Sequence, residues 1–95
     1  MSYITLLAKI IAKPGCEAKL LPELQAMVKP SKAEDGCLKY VLYSALNDSR
    51  TFWFVEEWKS EEALTEHNLT PHYKRLKERI ADLVEAAELT RLVTL

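Results

Sequence analysis

The sequence predicts an α+β domain of the ferredoxin-like type, a split βαβ arrangement with a four-stranded antiparallel sheet and helices on one face. Segments in which every second residue is apolar are interspersed with segments in which apolar residues recur at helical spacing. Their order along the chain is strand, helix, strand, strand, helix, strand. The 95 residues suit a single domain over 1–95 and leave no room for two.

Residues 3–12 predict the first strand and residues 17–33 the first helix. In the strand, one alternate set is wholly apolar and should face the core: Ile4, Leu6, Ala8, Ile10 and Ala12. The sequence KPG at 13–15 breaks the strand. The helix carries one apolar stripe, formed by Leu20, Leu21, Leu24, Met27 and Val28. Pro30 should kink or end it.

Two more strands are predicted at 37–46 and 51–59, joined as an antiparallel hairpin by the turn residues NDSR at 47–50. Alternation places Tyr40 and Tyr43 on opposite sides of the second strand. On the third strand the even face carries Phe52, Phe54, Glu56 and Trp58, and the odd face carries Trp53, Val55 and Glu57. One aromatic-rich face therefore contains a carboxylate.

The second helical region is predicted in two pieces. Ser60 is a natural N-cap for a short helix that runs to about Asn68. Thr70 caps a second helix, with Pro71 at its first position. Its apolar stripe is Tyr73, Leu76, Ile80 and Leu83, and residues 87–95 predict the terminal strand.

Composition limits the possible functions. The chain has 13 basic and 14 acidic residues, and no run of five like charges suggests nucleic-acid binding. Lys9 and Lys13 interrupt the apolar N-terminal stretch, and no apolar run approaches the ~20 residues of a membrane helix. We expect a cytoplasmic protein that binds neither nucleic acid nor membrane. Cys16 and Cys37 are expected to be free thiols.

The sheet face away from the helices also carries large apolar side chains. Exposed patches of this size usually mark a partner surface. Two-fold pairing of the open sheet faces is the simplest way to cover them, so the sequence predicts a homodimer.

From Gly36 to Tyr73 the chain resembles the antibiotic biosynthesis monooxygenase family of small dimeric α+β-barrel proteins. The resemblance rests on GCLKYVLY, FWFVEEWKSEEAL and HNLTPHYKRL. It includes Gly36 and Cys37 at the start of the second strand, Glu56 two residues before Trp58, and His67 followed by Thr70, Pro71 and His72. Quinol monooxygenases and the isomerase of phosphorylated autoinducer-2 are similar too.

Haem-degrading members of that superfamily fit the sequence less well. They use an Asn on the first strand, a Trp on the second helical segment and a haem-ligating His beyond it. Here the first strand has no Asn, His67 takes the place expected for the Trp, and Lys77 lies near the expected ligand. These departures argue against haem degradation, and the resemblance to the monooxygenases implies a reaction without a cofactor.

His72 and His67 are the predicted catalytic residues, because their unperturbed pKa lies near neutrality, and the match to the family motif favours His72 of the two. Either one could take a proton from a phenol or enol and leave a carbanion. The resemblance implies that the carbanion reacts with dioxygen without a cofactor. The alternative is that both rings only cap or pack at the helix break. Their i, i+5 spacing does not place two rings on one helical face, so no metal site is predicted.

Tyr40, Phe52, Glu56 and Trp58 are the predicted substrate-binding residues. Glu56 could orient a histidine or a substrate hydroxyl, or it could make a structural salt bridge or a hydrogen bond to a helix end. The aromatic side chains could line a pocket for a flat ring, or they could belong to the core.

The sequence thus predicts a cofactor-independent monooxygenase of a small phenolic, quinol or polycyclic substrate. One alternative is an isomerase or degrading enzyme for a small oxygenated metabolite such as a phosphorylated autoinducer-2-like sugar. Lys9, Lys74 and Arg75 could then hold the phosphate, although solvent is the simpler place for them. Another alternative is a non-catalytic module that binds a small ligand.

Overall fold

The computed structural model describes residues 3–95. Its four strands form one antiparallel sheet in the order β2-β3-β1-β4. The elements in chain order are β1 Ile4–Ala12, α1 Glu17–Gln25, α2 Val28–Lys32, β2 Cys37–Ala45, β3 Asp48–Trp58, α3 Glu61–Asn68, α4 Pro71–Ile80 and β4 Val84–Leu92. The helices cover one face, which confirms the predicted ferredoxin-like fold.

The core lies between that sheet face and the helices. Every second residue of β1 is buried, from Ile4 to Ala12, as the alternation predicts. The even face of β3 is buried with it, including the carboxylate of Glu56 at 3% exposure. Tyr40 is buried on the same side, whereas Tyr43 points to the open face and is 48% exposed. Strand alternation alone therefore assigned the faces correctly.

The first helical region differs from the prediction. Instead of one helix over 17–33, the chain forms α1 and α2 with a break at Ala26 and Met27. The Met27 N–H bonds to the Leu24 carbonyl, three residues back, which tightens the backbone at the break. Pro30 consequently lies in the first turn of α2, where no helical N–H is needed, instead of ending the helix.

The hairpin turn is shorter than predicted. Only Leu46 and Asn47 form it, and β3 begins at Asp48 instead of residue 51. The Asp48 carboxylate accepts hydrogen bonds from the Arg50 N–H and the Thr51 hydroxyl, so these residues are held in strand geometry. A register shift between Ser44 and Ala45 accommodates the change.

The terminal strand was placed too late in the sequence. The prediction was 87–95, but β4 spans Val84–Leu92. Its length follows from its partner, because Ala12 pairs with Val84 and Thr5 pairs with Leu92. Leu83, predicted at the end of the α4 stripe, lies in the turn before β4, where its N–H bonds to the Ile80 carbonyl.

Helices α3 and α4 are each capped at the N-terminus by the residue that the sequence predicts. The Ser60 hydroxyl accepts the Ala63 N–H, and the Thr70 hydroxyl accepts the Tyr73 N–H. The Thr70 hydroxyl also donates to the His67 carbonyl at 2.8 Å, which ties the end of α3 to the start of α4. Within residues 3–95, no helix has the length and apolar character to cross a membrane.

Candidate active site

A cavity of about 540 Å³ lies between the sheet and the helices α3 and α4. Its wall is mainly aliphatic and aromatic, with a few polar side chains. The apolar residues include Leu6, Ala8, Ile10, Phe54, Leu64, Leu76, Ile80 and Leu89. The polar or titratable residues are Tyr40, Glu56, His67, Asn68, Tyr73, Lys77 and Arg91. A mostly apolar cavity of this size with convergent polar groups is typical of a small-molecule site.

His67 is the buried centre of the site. His67 lies in the last turn of α3, is 1% exposed and lines the cavity. Its ring packs against Trp58 at 4.5 Å between centroids, and against Tyr73 at 5.2 Å. Burial among these rings disfavours the charged imidazolium and lowers the pKa of His67 below its ordinary 6.5. A neutral ring that can accept a proton therefore faces the cavity.

Glu34 joins the two histidines. Its Oε2 lies 2.7 Å from Nδ1 of His67 and 2.7 Å from Nε2 of His72. A carboxylate oxygen only accepts hydrogen bonds, so both facing ring nitrogens carry a hydrogen. With Nδ1 of His67 engaged in this way, Nε2 is the ring nitrogen left for a ligand in the cavity.

The same three side chains are the candidate metal ligands within the part of the chain that the structure describes. Their ligand atoms all lie within 4.8 Å of one another. Two of the three separations are short hydrogen bonds to a single oxygen, so the trio is satisfied as a hydrogen-bonded set.

His72 takes a different position from His67. It does not line the main cavity but a smaller cleft, together with Glu23, Arg75 and Arg79. Its side chain is 19% exposed, compared with 2% for the side chain of His67. The two predicted catalytic residues thus share one carboxylate, and only His67 reaches the cavity.

Glu56 is the second titratable carboxyl group of the site. Its Oε1 accepts the indole N–H of Trp58 at 3.0 Å, rather than a helix end or a cation. Burial raises the pKa of Glu56 from 4.5 to about 7, because the charged form loses its hydration. At neutral pH this side chain can offer either a proton or a lone pair to a bound molecule.

The other predicted substrate-binding residues divide into two groups. Tyr40 lines the cavity, and burial raises the pKa of its phenol, which keeps the hydroxyl protonated. Phe52 and Trp58 do not line the cavity, and both are buried in the core. Trp58 packs against the His67 ring and donates a hydrogen bond to Glu56. Phe54 lines the cavity and packs on Tyr40 at 4.9 Å.

Cationic groups occur in the cavity wall at Lys77 and Arg91. Arg91 also contacts Glu61 at 3.3 Å on the surface. The basic residues considered from the sequence lie elsewhere: Lys9 is near the Trp53 ring, and Arg75 lines the smaller cleft. Lys74 lines neither space.

Sequence reasoning missed Glu34 and the cavity role of Tyr73. Glu34 reads as part of an ordinary EDG turn, and its partners lie 33 and 38 residues away. No local pattern signals such a contact. Tyr73 belongs to an apolar helical stripe, which predicts a core position equally well.

Comparison with known proteins identifies a family and several relatives of this chain. A family model described as antibiotic biosynthesis monooxygenase matches residues 3–79. YcnE of Bacillus subtilis, provisionally named a monooxygenase, is 35% identical over 83 residues, which cover 87% of this chain and 87% of that protein. Rv0793 of Mycobacterium tuberculosis, with the same provisional name, is 32% identical over 83 residues, or 87% of this chain and 81% of that protein.

Solved structures agree with these matches. The crystal structure of PA3566 from Pseudomonas aeruginosa superposes with a TM-score of 0.97 and 37% identity, covering 100% of this chain and 96% of that one. The crystal structure of an antibiotic biosynthesis monooxygenase superposes with a TM-score of 0.85 and 28% identity, covering 97% of this chain and 96% of that one.

Proposed function

The chain belongs to the antibiotic biosynthesis monooxygenase family, and from that premise we propose that it is a cofactor-independent monooxygenase of a small phenolic, quinol or polycyclic substrate. The observation that carries this proposal is His67, which lines the apolar cavity with one ring nitrogen held by Glu34 and the other left for a substrate. A flat aromatic molecule suits the aliphatic and aromatic wall.

In the proposed reaction, Nε2 of His67 takes the proton of a substrate hydroxyl or enol. The resulting anion carries negative charge on a ring carbon, and that carbon reacts with dioxygen. When the carbon bears two hydrogens in its keto form, it becomes a carbonyl carbon and the second oxygen atom leaves as water. The substrate supplies all the electrons, so no external reductant is needed.

The remaining polar groups of the cavity suit the charge that develops. Tyr40 and the protonated form of Glu56 can donate hydrogen bonds to a substrate oxygen. Lys77 and Arg91 add positive charge in the wall of the same cavity, which favours a phenolate over a neutral phenol.

Oxygen consumption over a panel of quinols and polycyclic phenols tests this function. The metal-stripped wild type is expected to consume oxygen, and His67→Asn should reduce the rate about a hundredfold, the usual contribution of a general base. Leu69→Ala is the matched control, because Leu69 follows α3 but is 62% exposed and outside the cavity. No uptake with any compound by folded wild type would overturn the proposal.

Isomerisation is the second candidate, since two proton-handling groups, His67 and Glu56, line one cavity. One could remove a proton from an enolisable sugar phosphate and the other could return it at the neighbouring carbon. Deuterium incorporation from D₂O under nitrogen, lost in Glu56→Gln, would support it. Binding that is unaffected by His67→Asn and gives neither reaction would point to a ligand-binding module.

We infer further that the chain pairs with a second copy through its open sheet face. That face exposes Tyr43 by 48% and Leu92 by 42%, with Leu7, Trp53 and Val55 half-buried beside them. Apolar side chains from neighbouring strands form one continuous patch, because Val55 pairs in register with both Leu7 and Val41. Such a patch favours a two-fold interface.

A further inference from the structure

We infer that Glu34 and His72 act as a positioning pair for His67: the shared carboxylate oxygen fixes the orientation and tautomer of the His67 ring, and His72 holds that oxygen in place. This inference rests on the proposed function of His67 as the base. It assigns a role to Glu34, and it gives His72 a different role from the base that the sequence suggests.

The first support is the convergence of two hydrogen bonds on one atom. Oε2 of Glu34 is 2.7 Å from a nitrogen of each histidine. Both distances are in the range of charge-assisted hydrogen bonds, which are shorter and stronger than neutral ones. A carboxylate held from two sides has little freedom to rotate away from His67.

The second support is the local architecture. Glu34 lies in the turn after α2, and its N–H bonds to the Ser31 carbonyl while its own carbonyl accepts the Cys37 N–H. His67 lies in the last turn of α3 and His72 in the first turn of α4, and Thr70 joins these helices through the His67 carbonyl. Backbone on all three sides of the cluster is therefore restrained, as positioning requires.

The third support is the difference in exposure. The His67 side chain is 2% exposed and lines the cavity. The His72 side chain is 19% exposed and faces the cleft with Glu23, Arg75 and Arg79. Glu34 therefore links a histidine in the cavity wall to a histidine in the more exposed cleft.

Several charged or titratable groups face this cluster. Around His67 they are Glu34 and His72 by contact, with Tyr40 and Tyr73 packed against the ring and Glu56 in the same cavity. Around His72 they are Glu34, His67, Glu23, Arg75 and Arg79. A measured pH effect is therefore assigned to this cluster only if substitution of Glu34 or His72 changes it.

Nitrogen-15 NMR of the histidine rings tests the inference without a substrate. The chain has two histidines, so His72→Gln leaves His67 as the only signal. Wild-type His67 should hold its hydrogen on Nδ1 at pH 8. Glu34→Gln should lower the pKa of His67 and mix its tautomers, because the carboxylate charge is gone. His72→Gln should raise the pKa of His67 and keep the tautomer, because an amide donor remains.

Arg75→Gln is the matched control, since Arg75 lines the same cleft but makes no side-chain hydrogen bond to Glu34 in the described structure. It should leave the His67 signals unchanged. Identical His67 tautomer and titration in Glu34→Gln and wild type would overturn the inference. So would micromolar binding of Zn²⁺ that moves both ring signals, because the trio would then be a metal site.

Turnover separates this inference from the proposed function. If a quinol supports oxygen uptake, Glu34→Gln should lower kcat at least tenfold with little change in KM, and His72→Gln should shift the acidic limb of the pH profile. If wild type consumes no oxygen, the proposed function fails, while the NMR result still decides whether the pair positions His67.

Discussion

Trp58 donates its indole N–H to Oε1 of Glu56 at 3.0 Å, and both side chains are buried on the helix-covered face of β3. The hydrogen bond favours the carboxylate, but the loss of hydration outweighs it, so the pKa of Glu56 rises to about 7. Between pH 4.5 and 7 the folded chain therefore keeps a proton that the unfolded chain has released.

The unfolding free energy should depend on pH accordingly. The stabilisation from Glu56 is complete below pH 4.5 and is lost as the pH rises through about 7. Glu56→Gln, which stays neutral and keeps an acceptor for Trp58, should be about 2 to 3 kcal/mol more stable than wild type at pH 8. The two proteins should be equally stable at pH 4.5, as measured by urea unfolding.

Glu57→Gln serves as the reference for this comparison, because it removes one carboxylate from the neighbouring position on the opposite face of β3. A gain in Glu56→Gln that is the same at both pH values would contradict burial as its cause.

Gly36 and Ala63 should be coupled in stability. A Cβ at Gly36 would overlap the Ala63 methyl group of α3, so the backbone of this turn approaches the helix more closely than a side chain allows. Gly36→Ala is expected to cost about 1 to 3 kcal/mol by overpacking. Ala63→Gly should cost about 1 kcal/mol through helix propensity.

The double variant Gly36→Ala, Ala63→Gly should be more stable than Gly36→Ala alone, because the added methyl group then fills vacated space. Urea unfolding of the four proteins gives the coupling free energy. Strictly additive losses would mean that the turn shifts away from α3 instead.

Thr70 should matter for stability and for the site. Its hydroxyl accepts the Tyr73 N–H at 3.2 Å and donates to the His67 carbonyl at 2.8 Å. Thr70→Ala loses both bonds and is expected to lower the unfolding free energy by about 1 to 2 kcal/mol. Thr70→Ser keeps the hydroxyl and should have an unfolding free energy close to that of wild type, because Ser is at least as good an N-cap as Thr. Equal losses in thermal unfolding would show that the methyl group, not the cap, is responsible.

The proposed dimer predicts a mass of about twice the 10.9 kDa chain in light scattering at micromolar concentration. Val55→Glu would place a charge at the centre of the open sheet face and should give monomers, since an unpaired charge is costly in an apolar interface. Leu69→Glu changes an exposed apolar residue away from that face and should remain dimeric. A monomeric wild type in the same measurement would contradict the proposed interface.

Much of the architecture could be read from local patterns. The alternation in β1 and β3 assigned the buried face, and Ser60, Thr70 and Pro71 located the starts of α3 and α4. The predicted ends of the strands were less accurate where tertiary contacts, and not local sequence, decide where a strand begins or ends. The end of β4 follows from where β1 begins, and the start of β3 follows from the Asp48 hydrogen bonds.

By itself, the sequence determined the fold class, the buried faces and the presence of two histidines around a helix break. These properties depend on periodicity and capping, which act over a few residues. Only the tertiary structure decided that His67 faces the cavity, that His72 lines a separate cleft, and that Glu34 joins the two rings. Those relations depend on chain segments more than 30 residues apart, and hydrogen bonds across such distances leave no periodic signal in the sequence.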